Sequence, residues 1–343
     1  MTEQSPNHEE WRRLYEAAIA VKALGPWMWM YEDDLFAVED PETGELGFVS
    51  VMGAAGEHFA VAVYRGGAGL RGFMAMQDAG EAMNAELALS TPQIQASFEN
   101  RDLLTAEDRA VIKSLGLKFR GRNAWPWFRS YRPGFYPWYL NGEEARTLAC
   151  ALEQLLIVAP RFRDDDTLFY SEADRGLLVR AASAAAGELV WTERYQREFS
   201  SDVTPAVSKI ETALIERFKA APKQQMTIEL DVFMLPHPVR DGKDDRPKYI
   251  YQLLLVEAKT GYVLGFEMMQ VETSLEEMWA GLPSLLVRQL VQLGLHPALL
   301  KARPGLVCDL IRPLAQELGV TLQRSTRLPM LDSARKSLVR YMG

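Results

Sequence analysis

The stretch MTIELDVFML at residues 226–235 opens the most regular part of this sequence. Its apolar and polar residues alternate, as they do in a β-strand with one buried face. Two further strand-like stretches follow, YIYQLLLVEA at 249–258 and YVLGFEMMQV at 262–271, with the turn KTG between them. Strands joined by short turns pair as antiparallel neighbours. The pattern therefore predicts a three-stranded meander.

Helices and short strands alternate after this meander. Helices are predicted over 274–293, 306–318 and 332–341 from their apolar spacing and their cap residues. The strand-like runs HPALLKAR and VTLQRST stand before and after the second of these helices. The predicted order of elements at 226–343 is therefore three strands, then helix, strand, helix, strand and helix.

The amino-terminal part combines helical and strand-like segments. Helices are predicted over 9–24, 78–88, 105–115 and 142–159. Three strand-like runs, LFAVED, LGFVSVMG and HFAVAVYRG, are separated by turn residues, which predicts an antiparallel sheet. We therefore expect an N-terminal α+β domain at 1–160.

Residues 161–225 are predicted to connect the two domains. The runs GLLVRAA and ELVWTERY are typical of a hairpin, and a helix is predicted over 205–220. The fold class expected for the whole chain is α+β with two domains, at 1–160 and 226–343.

Composition excludes several classes of protein. The chain has 343 residues, of which 48% are hydrophobic and 24% charged, a globular balance rather than a disordered or fibrous one. Two cysteines and four scattered histidines form no disulfide framework or zinc motif, so we expect a reducing cytoplasm, no metal and no cofactor. The apolar run at 148–159 contains Glu and Gln and is too short to cross a bilayer, and the polar start carries no secretion signal. We therefore expect no membrane contact.

Residues 109–140 reverse the sign of the chain's charge. The net charge is −8, which argues against a generally basic protein that coats nucleic acid. This segment, RAVIKSLGLKFRGRNAWPWFRSYRPGFYPWYL, nevertheless holds seven basic residues, nine aromatic residues and no acidic residue. Its prolines and glycines are expected to break regular structure from residue 121 on. The segment is predicted to be a stiff, cationic, aromatic loop.

Two interpretations suit that chemistry. Arginine forks bind phosphate and aromatic rings stack on bases, so the loop is a candidate site for a nucleotide or nucleic acid. Alternatively, the rings pack the loop onto the rest of the molecule while the arginines stack on tryptophan and pair with surplus acids. The first interpretation assigns ligand binding to Arg120, Arg122, Asn123, Trp125, Arg129, Tyr131, Arg132 and Trp138.

The carboxyl-terminal part resembles a known fold. The phrases LVEAKTGYVLGF and KARPGLVCDLIRPLAQELGVTLQRST, with the order of elements around them, are similar to ribonuclease H-like domains, and to integrase and transposase cores among them. The resemblance covers residues 226–343 and implies an α/β domain with a mixed sheet. It implies two divalent metal ions held by carboxylates on the first strand, at the end of the fourth strand and on the last helix.

These implied positions are filled unevenly. Asp231 and Glu229 share one face of the first strand, and Asp332 begins the last helix. The fourth-strand position falls near Ala302 or Arg303, neither of which ligates a metal, and an arginine would repel a cation there. The favoured interpretation is a scaffold without nuclease activity. The alternative is a metal-dependent phosphodiesterase or nuclease that uses Asp231, Glu229 and Asp332.

Two stretches resemble a family of bacterial proteins that carry domains of unknown function. They are FRGRNAWPWFRSYRPGFYPWYL at 119–140 and PWMWMYEDDLFAVEDPETGELGFVSVMG at 26–53. The resemblance implies no activity. The leading hypothesis is a cytoplasmic binding or accessory protein whose segment 109–140 contacts nucleic acid or a planar anion, with its protein partner unknown. The phosphodiesterase above and a self-associating structural scaffold are the alternatives.

Overall fold

The chain divides into two compact units. The first holds Met1–Pro133 and Pro137–Asp202, and the second holds Gly134–Tyr136 and Val203–Gly343. Each unit has one β-sheet with helices packed against it. The computed structural model describes residues 4–80, 85–169, 176–185, 188–199, 209–242 and 245–342.

The first unit is built on a seven-stranded sheet with the strand order β5-β4-β3-β2-β1-β6-β7. Its described strands are β1 Phe36–Glu39, β2 Leu46–Met52, β3 Ala60–Arg65, β4 Gln93–Glu99, β5 Trp125–Tyr131, β6 Leu177–Ala185 and β7 Glu188–Gln196. Its described α-helices are α1 His8–Leu24, α2 Gly66–Ala79, α3 Ala85–Leu89, α4 Ala106–Ser114 and α5 Gly142–Asp164.

This sheet is mixed, whereas the sequence predicted an antiparallel one. All neighbouring strands pair antiparallel except β1 and β6, which run parallel with Ala37 opposite Val179. Helix α5 lies in the long connection before β6, and a connection of that length allows a strand to return in the parallel direction. The predicted antiparallel character is therefore wrong at this one pairing.

Helices α1 and α5 were both predicted and cover one face of the sheet. Asn7 caps α1 and Asn141 caps α5, and each takes part in a capping box with a glutamate three residues later. The two helices pack on each other and bury their apolar stripes in the main core of the unit. A fully buried leucine or valine contributes about 1.5–3 kcal/mol to such a core. Examples with no exposed surface are Leu14, Val21, Leu148, Leu152 and Leu155.

The predicted irregular structure after residue 121 is wrong for residues 125–131, which form β5. Strand β5 lies at the edge of the sheet, next to β4. Proline cannot donate to a strand ladder, but an edge strand needs donors on one side only. Pro126 is therefore tolerated within this strand.

Two further elements of the first unit were not predicted. Helix α2 begins at Gly66, where the glycines had indicated the end of a strand, and it packs on β2 and β3. Strand β4 was also missed, although its sequence QIQASFE alternates. The helix predicted over 78–88 differs from the observed bounds of α2 and α3, and its residues 81–84 lie outside the described part of the chain.

The second unit contains the five-stranded mixed sheet that the sequence predicted. Strands β8, β9 and β10 pair antiparallel, whereas β11 runs parallel to both β8 and β12, in the order β10-β9-β8-β11-β12. The resemblance to ribonuclease H-like domains stays a prediction. The described elements are β8 Gln224–Met234, β9 Ile250–Glu257, β10 Val263–Gln270, β11 Pro297–Ala302, β12 Thr321–Arg324, α6 Thr212–Ala220, α7 Leu275–Gln292, α8 Leu306–Leu318 and α9 Pro329–Met342.

Helix α9 packs against the central strands of this sheet. It contacts β8 and β9, where Phe233, Leu254 and Leu331 belong to one buried cluster. Helices α6, α7 and α8 pack against one another. Strand β10 pairs with β9 on one side and forms one edge of the sheet.

The segment predicted to connect the domains contributes to both units. Its hairpin, β6 and β7, extends the first sheet beyond residue 160, because β6 pairs with β1. Its helix α6 belongs to the second unit. The helix was predicted over 205–220, and residues 201–208 lie outside the described part of the chain.

Candidate functional site

Residues 109–140, predicted as one cationic aromatic loop, adopt several different structures. They begin in α4, continue through a loop at 115–124 and then form β5. Residues 134–136 belong to the second unit. The eight predicted ligand-binding residues therefore lie in different environments.

Arg129 lies buried in β5 and is 5% exposed. Its Nη1 and Nη2 atoms donate to the two carboxylate oxygens of Asp108, at 2.9 and 2.7 Å. The guanidinium carbon lies 4.1 Å from the ring centroid of Trp127 and 4.7 Å from that of Tyr139. Arg129 is thus engaged in packing, as the second interpretation of the segment described, and it is no part of an exposed surface.

Asp108 is held by the start of α4 as well as by Arg129. It forms a capping box with Thr105, whose backbone N–H donates to Asp108 Oδ2 at 3.0 Å. Burial acts to raise the pKa of the Asp108 carboxyl, but the hydrogen bonds and charge of Arg129, with the bonds from Thr105, outweigh burial. The pKa therefore lies below its ordinary value, and the ion pair persists at neutral pH.

Tyr131, Arg132 and Trp138 also have partners inside the first unit. The Tyr131 hydroxyl donates to Gln95 Oε1 at 3.0 Å. Arg132 Nη2 donates to Glu144 Oε1 at 3.1 Å, and the Glu144 side chain is almost completely buried. The backbone of Trp138 pairs with β5. These three residues stabilise the edge of the sheet.

Arg120, Arg122 and Asn123 lie in the loop that precedes β5. Both arginines are exposed. Asn123 adopts the left-handed conformation with φ +50°, and its backbone N–H donates to Asn100 Oδ1 at 3.0 Å. Lys22 Nζ donates to the carbonyl oxygen of Asn123. The loop is therefore fixed at one end while its two arginines extend into solvent.

Trp125 is half-buried where this loop enters β5. Its ring centroid lies 5.7 Å from that of Phe119, and both rings pack on the main core. The guanidinium carbon of Arg101, on the exposed side, lies 5.9 Å from the Trp125 ring. One part of the indole is thus beside a cation and the other part against the core.

Five cations share the exposed surface of residues 109–122, which we call the basic segment. Arg109 and Lys113 are one helical turn apart on α4 and are both exposed. In the following loop, Leu117 and Phe119 pack against the core while Lys118 and Arg120 are exposed. Together with Arg122, these five side chains form no ion pair with any described residue. They are the exposed part of the cationic segment.

The carboxylates predicted for a metal site lie in the second unit, where Arg303 binds two of them. Arg303 Nε donates to Asp231 Oδ2 at 2.8 Å, and its Nη2 donates to Asp332. Its Nη1 donates to the carbonyl oxygen of Thr326 at 2.9 Å. Glu229 Oε2 instead accepts the backbone N–H groups of residues 330 and 331 in the first turn of α9, at 3.0 and 2.9 Å.

This cluster joins α9 to the sheet through an arginine. Burial raises the pKa of the Asp231 carboxyl, and the bonds and charge of Arg303 oppose that rise only in part. A guanidinium between Asp231 and Asp332 repels a divalent cation. Among the described residues, no three His, Cys, Asp or Glu side chains lie close enough together to hold a metal ion.

Sequence reasoning missed the partners of the arginines. Asp108 is the residue that neutralises Arg129, and Glu144 binds Arg132. Both acids sit three residues after a helix cap, so the motifs Thr105-x-x-Asp and Asn141-x-x-Glu were signals for buried, oriented carboxylates. No local sequence signal indicates that these carboxylates bind arginines 21 and 12 residues away along the chain.

The two sheets define a two-domain α+β protein, and family models match both parts. Residues 11–180 match a domain of unknown function, DUF7309, and residues 214–339 match another, DUF6930. The chain therefore carries two domains of unknown function, which together cover most of it. No curated protein matches the chain. None of the described helices is long and apolar enough to span a membrane.

Proposed function

We propose that this protein binds single-stranded nucleic acid through the basic segment. The observation that carries the proposal is the group of five exposed cations at residues 109–122, with no acidic residue in that stretch of an acidic chain. Phosphate groups provide the counter-charges that these side chains lack inside the protein. Arg129 and Arg132, which are paired with Asp108 and Glu144, are excluded from the proposed contact.

The geometry favours a backbone contact over recognition of base sequence. Two of the cations lie on α4, and three lie in the loop at 115–124, whose far end is fixed at Asn123. A series of exposed cations along one segment suits contact with successive phosphates of a flexible strand. Trp125, half-buried beside Arg101 at the end of this loop, supplies an aromatic ring on which a base can stack. Affinity is expected to come mainly from charge.

Salt dependence is the first test. Five phosphate contacts on a single strand predict a slope of about −3.5 for log K against log salt concentration. Fluorescence anisotropy of an end-labelled oligothymidylate, titrated with the full chain at several salt concentrations, measures that slope. Absence of binding at low salt contradicts the proposal, as does binding that salt leaves unchanged.

A charge-matched pair of variants locates the contact. The double variant Arg120→Ala/Arg122→Ala removes two cations from the basic segment and is expected to flatten the slope by about 1.4. The control, Arg12→Ala/Arg288→Ala, removes two exposed arginines elsewhere and changes the net charge equally. Equal losses of affinity in both variants would show that net charge alone, and not this segment, governs binding.

The cellular setting is part of the same proposal. Both cysteines, Cys150 and Cys308, are buried free thiols. A protein with that cysteine usage suits a reducing compartment such as the bacterial cytoplasm, where single-stranded nucleic acid is abundant.

A further inference from the structure

The end of the first sheet that adjoins the basic segment carries a partly buried carboxylate. Glu99 is the last residue of β4 and lies directly opposite Trp125 of β5. The loop of the basic segment is attached at the same end, since the backbone N–H of Asn123 donates to the side chain of Asn100. Glu99 and Trp125 are therefore neighbours of the segment to which we assign the phosphate contacts.

The Glu99 carboxylate is short of hydrogen-bond donors. Its side chain is 19% exposed, and it accepts no hydrogen bond from any described residue. Its ionic neighbour in the described part of the chain, His58 Nδ1, lies 3.6 Å from Glu99 Oε1, beyond hydrogen-bond distance. By contrast, the carboxylates of Asp108 and Glu144 each accept from an arginine. A carboxylate withdrawn from water without donors costs free energy, so Glu99 is suited to a ligand that brings donors.

Two donors in the adjacent row of the same sheet face also lack partners. Ser97 precedes Glu99 by two residues and lies opposite Trp127 of β5. Ser97 Oγ and Trp127 Nε1 are buried and form no hydrogen bond with any described residue. Buried polar atoms in proteins are almost always hydrogen-bonded, and an indole N–H can only donate. This end of the sheet thus combines a pair of free acceptors with free donors about 7 Å further along the strands.

We infer that this end of the sheet binds a guanine base of the strand held by the basic segment, an inference that rests on the proposed function. Guanine presents two adjacent donors, N1–H and the N2 amino group, beside the acceptor O6. The two oxygens of Glu99 accept from both donors. The hydroxyl of Ser97 and the N–H of Trp127 are the donors available to O6, and side-chain rotation on binding brings them to it.

Stacking on Trp125 places the edge of the base next to Glu99. Residues directly opposite each other on antiparallel strands have Cβ atoms about 5 Å apart. A base that lies flat on the Trp125 ring therefore extends its edge across to the neighbouring strand, where Glu99 lies. The basic segment supplies charge, and Glu99 adds one contact that depends on the base.

The other bases fit this arrangement less well. A carboxylate has acceptors only. Adenine and cytosine each present one amino group next to a ring acceptor, which the second carboxylate oxygen repels. Thymine and uracil place a single N–H between two carbonyl oxygens. Because stacking on Trp125 tolerates every base, discrimination comes from Glu99.

Oligonucleotides that differ at one base test the inference. Fluorescence anisotropy at one salt concentration compares an oligothymidylate with the same strand carrying one central guanine, adenine or hypoxanthine. Guanine is expected to tighten binding about fivefold or more, the discrimination typical of a bidentate contact. Adenine should give no gain, and hypoxanthine, which lacks the N2 amino group, should lose most of the gain.

A conservative change at Glu99 tests the residue. Glu99→Gln turns one acceptor into a donor, so it should abolish the preference for guanine and favour adenine, whose amino group and ring N1 match an amide. The control, Glu16→Gln, removes the same charge from an exposed glutamate on α1 and should keep the guanine preference. Affinity for plain oligothymidylate should change alike in both variants, which verifies that Glu99→Gln retains its fold.

A free nucleotide is the other source of a guanine base. Guanosine monophosphate lacks the further phosphates that the basic segment contacts, so it should displace the guanine strand only at much higher concentrations than the strand itself. Equal competition would mean that the site serves a free nucleotide, which overturns the inference.

The outcomes separate this inference from the proposed function. Equal affinity for the guanine and thymine strands overturns guanine recognition and leaves the contact of the basic segment intact. A guanine preference that survives in Glu99→Gln places recognition elsewhere and overturns the inference as well. A chain that binds no strand at low salt contradicts both.

Discussion

Each of the two units contains a buried aspartate bound to an arginine, and the two arrangements differ in how the guanidinium is shared. In the first unit, Arg129 gives two hydrogen bonds to Asp108 alone. In the second unit, Arg303 divides its donors among Asp231, Asp332 and a carbonyl oxygen. The pKa of Asp108 lies below its ordinary value, and that of Asp231 lies above it.

The two sites differ in the number of hydrogen bonds that each carboxylate accepts. Asp108 has a bidentate partner and also accepts from Thr105, which together outweigh the cost of burial. Asp231 receives one bond from Arg303 and one from the backbone N–H of Val232, too few to offset burial. The same two residue types therefore give a firmly charged pair in one unit and a more easily protonated one in the other.

The largest effect is expected from Arg129→Ala. It leaves the Asp108 carboxylate buried without its partner and removes the cation between two aromatic rings, so the free energy of unfolding should fall by about 3–5 kcal/mol. Urea denaturation followed by tryptophan fluorescence measures this loss. Arg122→Ala, at an exposed arginine of the same segment, should change stability by less than about 0.5 kcal/mol. A small loss for Arg129→Ala would show that the pair is not structural.

A smaller loss, about 1–3 kcal/mol, is expected from Arg303→Ala. The Asp231 carboxyl already takes up a proton more readily than usual, so it escapes part of the penalty of an unpaired buried charge. Adding Asp231→Asn should recover part of the loss, because no buried charge then remains. Differential scanning calorimetry at neutral pH checks both changes. A loss larger than that of Arg129→Ala would contradict the comparison.

The smallest expected effects concern the pH dependence of the free energy of unfolding, to which Asp108 and Asp231 contribute with opposite sign. A lowered pKa at Asp108 means that its stabilisation is complete above the unfolded value of about 3.9 and is lost as the pH falls through the folded pKa. The raised pKa at Asp231 means that its contribution favours folding at low pH and is lost as the pH rises from about 3.9 through the folded pKa.

Two asparagine variants separate these dependences. Asp108→Asn should abolish part of the acid-side loss of stability, whereas Asp231→Asn should abolish part of the decline on raising the pH. The free energy of unfolding, measured at intervals from about pH 3 to pH 7, gives both slopes. Slopes of the same sign for the two sites would mean that the carboxylates are not differently supported.

Local signals account for what the sequence predicted. Helices α1, α4 and α5 were placed correctly because caps and apolar spacing act within a few residues. The three-stranded meander of the second unit was found for the same reason, since alternation and turns are local. The mixed sheet around it was expected from the resemblance to ribonuclease H-like domains.

Tertiary contacts determine the features that the sequence did not predict. Helix α2 begins with glycines that suggested a turn, yet Gly69 is required there because a Cβ atom would lie 2.6 Å from the backbone of Tyr64. Strand β5 contains a proline and becomes a strand only because it lies at an edge. The cationic segment was recognised from composition, but its division into paired and exposed arginines depends on Asp108 and Glu144, which the fold brings near from other elements.

Residues 134–136 belong to the second unit, although they lie far from the rest of it in the sequence, and this limits where the chain can be divided. Phe135 is bridged to Lys248, and Gly134 accepts a hydrogen bond from Tyr249. Gly134 itself has φ +84°, and a Cβ atom there would lie 2.2 Å from the side chain of Val271. A gene fragment that starts near residue 203 omits this tripeptide, and residues 247–249 then lose the backbone partners that it supplies. Cutting the chain at that junction would therefore separate the DUF6930 domain from a segment that pairs with its backbone.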